Sequence, residues 1–88
     1  MPVLVTTRIP SLPGEIYDQT AAALAEPLRG APGFLAHVAT VDDDGVTVTE
    51  LWEAPADWQA FFEAYVQPNL PDTLPPPETV ELRNAIVR

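Results

Sequence analysis

The dipeptide Asp44-Gly45 lies between two runs of alternating residues, and that junction constrains the fold more than any other feature of the chain. Asp-Gly favours the positive φ that tight hairpin connections need. Before it, Phe34 to Val41 puts Leu35, His37, Ala39 and Val41 on one strand face. After it, Val46, Val48, Glu50 and Trp52 share a face, because strand side chains alternate with period two. The two runs predict an antiparallel hairpin. A one-residue slip would turn every side chain to the other face. Alternation alone therefore leaves open whether His37 and Glu50 stand side by side.

Helical patterns lie outside the hairpin. Ile16, Tyr17, Thr20, Ala21, Leu24 and Leu28 recur at spacings of three and four, beginning at Glu15. Glu15 and Asp18 suit the positive end of that helix. Pro27 lacks a backbone donor and predicts a kink or an end near Glu26. Beyond the hairpin, Pro55 and Asp57 suit a first helical turn. Trp58, Phe61, Phe62, Tyr65 and Val66 then form one broad apolar face, and Pro68 predicts an end near Gln67.

Two outer segments complete the pattern. Val3, Val5, Thr7 and Ile9 alternate with Leu4, Thr6 and Arg8; Val80, Leu82, Asn84 and Ile86 alternate with Glu81, Arg83 and Ala85. The proline-bearing stretch from Asn69 to Pro77 reads as an irregular connector. The order is β-α-β-β-α-β, the ferredoxin-like split unit of the α+β class. It predicts a four-stranded antiparallel sheet with two helices on one face. The other face is then the natural surface for a homodimer. With 88 residues, positions 1–88 make a single domain with a modest core.

Charge and residue types narrow the function. Thirteen acidic residues against four basic ones give a net charge of −9. That argues against nucleic acid and against an anionic membrane surface as partners. No cysteine is present, so thiolate chemistry and thiolate metal sites are excluded. No apolar run approaches the ~20 residues of a membrane span. The N-terminal segment MPVLVTTRIP lacks the charged-then-apolar order of a secretory signal, so a cytoplasmic location is expected.

The order of elements, the segment Pro32-Gly33-Phe34-Leu35-Ala36-His37-Val38-Ala39, the run Glu50-Leu51-Trp52-Glu53 and the close at Arg83-Asn84-Ala85-Ile86-Val87 resemble the dimeric α/β-barrel superfamily. More closely, they resemble small actinobacterial proteins grouped with antibiotic biosynthesis monooxygenases. The resemblance implies one of several activities: cofactor-free oxygenation of aromatic polyketides, haem degradation, lactone isomerisation or polyketide cyclisation. Trp52 matches the tryptophan that such proteins carry on the third strand. Two departures matter. The first strand offers Thr6, Thr7 and Arg8 where an asparagine is usual, and the second helix has no histidine to ligate haem iron. Both turn the expectation away from haem and toward proton-transfer chemistry.

The candidate catalytic residues are His37 and Glu50. His37 is the one histidine, a group able to shuttle protons near neutrality; a strand histidine also serves as an ordinary core or interface residue. A carboxyl group in an apolar row, as Glu50 is, holds its proton more readily if desolvated, which suits general acid or base work. It serves equally as a partner for His37 or for a second subunit. Trp52, Trp58, Phe61, Phe62 and Tyr65 make an ordinary core or line a pocket for a flat ligand, with Tyr17, Tyr65 and Asn84 adding polar groups. Asp42-Asp43-Asp44 lacks the alternating ligand spacing of a calcium loop and reads as a solvated hairpin tip; no metal site is expected. The expected function is a cofactor-independent secondary-metabolism enzyme acting on a small aromatic or polyketide-like ligand, by cyclisation, isomerisation or oxygenation. The alternative is a non-catalytic dimer that binds a small ligand or a partner protein.

Overall fold

The computed structural model of the chain describes residues 1–69 and 75–88. Strand β1 spans Val3–Pro10, helix α1 Gly14–Arg29, strand β2 Phe34–Asp42 and strand β3 Gly45–Trp52. Helix α2 spans Pro55–Phe61, and strand β4 spans Glu78–Glu81. The sheet order is β2-β3-β1-β4, and every neighbouring pair is antiparallel. This is the expected ferredoxin-like βαββαβ arrangement.

Register follows from burial. Val3, Val5, Val46, Val48 and Trp52 are buried and share one sheet face. Leu28 of α1 and Phe61 of α2 close on that face and form the core with Val3, Val5 and Trp52. Trp52 meets Phe34 edge-on at 5.5 Å and Phe61 at 5.6 Å between ring centroids. Aromatic pairs at such separations add to the stabilisation that burial alone gives. The core therefore sits at the Trp52 end of the sheet.

The hairpin turns through Asp43 and Asp44, with Asp42 paired to Gly45. Gly45 takes φ 142°, and a Cβ there would strike the backbone carbonyl of Ile9. Glycine is thus required at this position by close approach as well as by conformation.

Four expectations are corrected. Helix α1 runs through Pro27 to Arg29, because buried Leu28 anchors the last turn to the core. Helix α2 gives way at Phe62 to a π-helical turn, Phe62–Val66, closed by the Gln67 N–H on the Phe62 carbonyl, and then to a short 3-10 turn, Gln67–Asn69, that contains Pro68. A bulge between Phe34 and Ala36 pairs Phe34, rather than Leu35, with Trp52 and so puts Phe34 against the core. Strand β4 stops at Glu81, although Leu82 N–H still donates to the Pro2 carbonyl at 2.8 Å. Strand β1 begins at Val3, so residues 83–88 have run past their pairing partner. Asn84 is consequently exposed and outside the sheet. Of the proline-bearing connector, Leu70 to Leu74 lie outside the described residues.

The sheet's outer face carries Leu4, Thr6, Arg8, Val38 and Val80, with Val38 60% and Val80 57% exposed. Arg8 there clamps Asp42 at 3.0 and 3.3 Å and donates to Thr47 at 2.8 Å. Those Arg8 hydrogen bonds, with the Asp44 amide as a second donor, hold the Asp42 carboxyl below the usual range. Among the described residues, no helix is long and apolar enough to cross a membrane.

Candidate active site

A groove of about 1040 Å³ runs between the two helices over the sheet, beside the core. It is floored by Thr7, Val48, His37 and Glu50 and walled by Tyr17 and Leu24 of α1 and by Trp58, Phe62 and Tyr65 beyond it. The apolar stripe of α1 predicted from spacing therefore faces open space as well as core. The π-helical turn carries Phe62 and Tyr65 into this wall; Trp58 packs on Phe62 at 5.2 Å and Phe61 on Tyr65 at 5.0 Å. Such turns insert an extra residue per helical turn and recur at functional sites.

The polar groups of the floor form one continuous chain. In the β2–β3 ladder His37 stands directly opposite Glu50, which settles the register that the sequence left open. The Trp52 indole N–H donates to Glu50 Oε1 at 3.0 Å. Glu50 Oε2 lies 2.7 Å from His37 Nδ1, and His37 Nε2 lies 2.6 Å from the Tyr17 hydroxyl. The Tyr17 and His37 rings lie nearly parallel, 9° apart in plane.

Protons can be assigned along this chain by donor inventory. An indole N–H only donates, and an ionised carboxylate only accepts. An ionised Glu50 therefore accepts from both Trp52 and His37 Nδ1–H, and in the neutral imidazole Nε2 then accepts from the Tyr17 hydroxyl. Carboxylate, imidazole and hydroxyl thus stand in the order of a hydrolase triad, in which the acid fixes the tautomer of the base. Burial chiefly, and then the charges of Glu50 and Asp18, push the Tyr17 phenol above its ordinary value, so it keeps its proton.

The predicted residues divide accordingly. Tyr17, His37, Glu50, Trp58, Phe61, Phe62 and Tyr65 all line the groove. Trp52 does not: it is fully buried, and it orients Glu50 from behind instead of touching a ligand. Asn84, exposed beyond the end of β4, does not line the groove. In the sequence Tyr17 is only a polar addition to an apolar stripe, and its place at the start of α1 carries no signal that it meets the strand histidine.

Among the described residues, no three groups of the histidine, aspartate or glutamate type converge as metal ligands. Haem does not fit this donor set either. His37 is the only histidine, and both its ring nitrogens are engaged at 2.6 and 2.7 Å.

Solved structures share this architecture. A protein of Chloroflexus aurantiacus assigned as an antibiotic biosynthesis monooxygenase matches over 100% of both chains, with a TM-score of 0.65 and 22% identity. The haem-degrading protein of Mycobacterium tuberculosis, in a haem-free structure, matches over 98% of this chain and 99% of its own, with a TM-score of 0.66 and 22% identity. The chain has the fold of the antibiotic biosynthesis monooxygenases. A monooxygenase of Streptomyces coelicolor, solved with the ligand nanaomycin D, matches over 99% of this chain and 91% of its own, with a TM-score of 0.55 and 26% identity. No protein-family model matches the chain, and no curated protein matches it.

Proposed function

We propose that the protein is a small monooxygenase-like enzyme that removes a proton from a flat, uncharged, polyketide-like aromatic ligand. The observation that carries this reading is the Tyr17–His37–Glu50–Trp52 chain at the wall and floor of an aromatic-lined groove. A binding protein needs shape and a few polar contacts. A histidine whose tautomer is fixed by a half-buried carboxylate is a feature of proton transfer.

The groove also selects by charge. Its acid is Glu50, and its one cationic lining residue is Arg29, whose side chain is 73% exposed and directed at Glu26. A neutral ligand enters such a site more readily than a carboxylate or a phosphate ester does. Proton removal then leaves an enolate or phenolate beside the imidazolium it has created.

With dioxygen as co-reactant, an activated methylene gives its electrons to oxygen, and CH₂ plus O₂ become C=O plus H₂O. Cyclisation or isomerisation would begin with the same proton removal. The ligand bound by the Streptomyces coelicolor protein, nanaomycin D, supports the polyketide class. Two exposed valines on the outer sheet face, Val38 and Val80, support assembly as a homodimer.

Anthrone, a three-ring ketone with an acidic methylene, is a suitable probe. Incubation should consume dioxygen and yield the quinone, with oxygen uptake and product mass followed together. Absence of turnover across aromatic polyketide intermediates that the parent nonetheless binds would establish a binding protein instead.

A further inference from the structure

Neither ring nitrogen of His37 is free to meet a ligand. Nδ1 is committed to Glu50 at 2.7 Å, and Nε2 to the Tyr17 hydroxyl at 2.6 Å. Each Glu50 oxygen already has a donor, one from His37 and one from Trp52, and the Glu50 side chain is only 14% exposed. The base and its carboxylate line the floor, but the atoms that would do the chemistry are already hydrogen-bonded. Tyr17 also lines the groove, its hydroxyl occupies the His37 nitrogen that Glu50 does not, and it keeps lone pairs with which to accept.

We propose that Tyr17 is the catalytic residue that meets the ligand, and that His37 receives the proton through it. The inference rests on the acid–base reading of the groove and assigns the contact within it. A ligand C–H or O–H bond breaks, and its proton forms a new O–H bond on Tyr17 Oη. The phenolic proton that Tyr17 held moves to His37 Nε2. The bonding electron pair stays on the ligand as an enolate or phenolate. Tyr17 ends neutral, and the imidazolium lies between the Tyr17 hydroxyl and the Glu50 carboxylate. The same hydrogen bond serves both states, because the Tyr17 oxygen accepts from Nε2–H once the proton has moved.

A free tyrosinate is disfavoured in this setting, because burial and the neighbouring carboxylates oppose the phenolate. The two transfers are therefore concerted. The alternative arrangement makes Tyr17 a removable cap: it swings off Nε2, and His37 acts directly.

The two arrangements predict opposite results for Tyr17→Phe. Under nitrogen in D₂O, the parent protein should exchange the methylene protons of anthrone, followed by NMR. Tyr17→Phe should lose this exchange about 100-fold or more, in the range of general acid–base contributions, with KM for anthrone changed only a few-fold. The parent rate against the fraction of D₂O should be bowed, the signature of two protons in flight. Fluorotyrosine at position 17, with the same shape and a more acidic phenol, should alter the rate. A linear dependence in the parent, or equal or faster exchange by Tyr17→Phe, overturns the relay alone. The parent measurement needs no variant and stands if Tyr17→Phe fails to fold. A parent that neither exchanges these protons nor turns over any aromatic probe overturns the acid–base reading and the relay with it.

Discussion

Trp52 and Glu50 lie two residues apart on one face of β3, and the buried indole N–H of Trp52 donates to Glu50 Oε1 at 3.0 Å. The core is thereby joined to the groove. One carboxylate oxygen is held by the hydrophobic cluster, so the other is aimed at His37 Nδ1.

Glu50→Gln tests that aim. An amide brings one acceptor oxygen and an NH₂ that only donates. It cannot accept from both Trp52 and His37 as the carboxylate does. Either Trp52 N–H loses its partner or His37 takes the tautomer with Nε2 protonated, which turns the Tyr17 hydrogen bond round. Wrong-tautomer variants of comparable triads lose about 10⁴ in rate. A fall of about 10² to 10⁴ in turnover is expected here, with ligand affinity largely kept. Steady-state kinetics beside calorimetric binding reads both.

Trp52 should matter more for stability than for ligand binding. Trp52→Ala removes the ring shared by Phe34 and Phe61 and should cost about 3–5 kcal/mol, a large part of a small domain's stability. Trp52→Phe keeps most of the ring but frees Glu50 Oε1. It should unfold at a urea midpoint much closer to the parent's while turning over more slowly. Equal activity in Trp52→Phe and the parent would remove the positioning role.

Gly45→Ala isolates the hairpin. The φ of 142° and the collision of a Cβ with the Ile9 carbonyl act together. The expected loss is about 1–3 kcal/mol by chemical denaturation, the scale of locally strained backbone. Asp43→Ala, in the exposed tip beside it, should change little.

Tyr17 gives stability a pH dependence at the alkaline end. Its folded-state value is raised, first by burial and then by the Glu50 and Asp18 charges. Between the unfolded value, near ~10, and the folded one, the native state binds more protons than the unfolded chain. The contribution is therefore complete below the unfolded value and disappears as pH rises through the folded one. Thermal melts of the parent should fall more steeply above pH ~10 than those of Tyr17→Phe. Parallel curves would mean that Tyr17 ionises as freely in the folded protein as in the unfolded chain.

The fold was legible because its signals are local and repeated. The Asp44-Gly45 turn, the period-two runs and the two helical stripes each pointed to one element, and together they allowed one order. The His37–Glu50 pairing was legible only as a possibility, since one residue of slippage decides it. The bulge at Phe34–Ala36 and the end of β4 depend on which partner residues remain unpaired, and alternation carries no such information. Asn84 was misplaced for that reason. Trp52 looked like a groove residue because it shares a face with Glu50. Burial under Phe34 and Phe61, a tertiary effect, withdrew it from the groove.

The outer sheet face makes the last prediction. Val38 lies in the middle of β2, 60% exposed, and its ladder partner is Thr49. A solvent-facing valine there contributes little to the monomer's own packing, so Val38→Glu should fold. In a dimer built through this face the same change would bury a carboxylate, and its desolvation would oppose assembly. Sedimentation of the parent should give twice the 9.6 kDa chain mass, and Val38→Glu should give the single chain with unchanged far-UV circular dichroism. A parent that sediments as a single chain at micromolar concentration would leave this face without the second copy assigned to it.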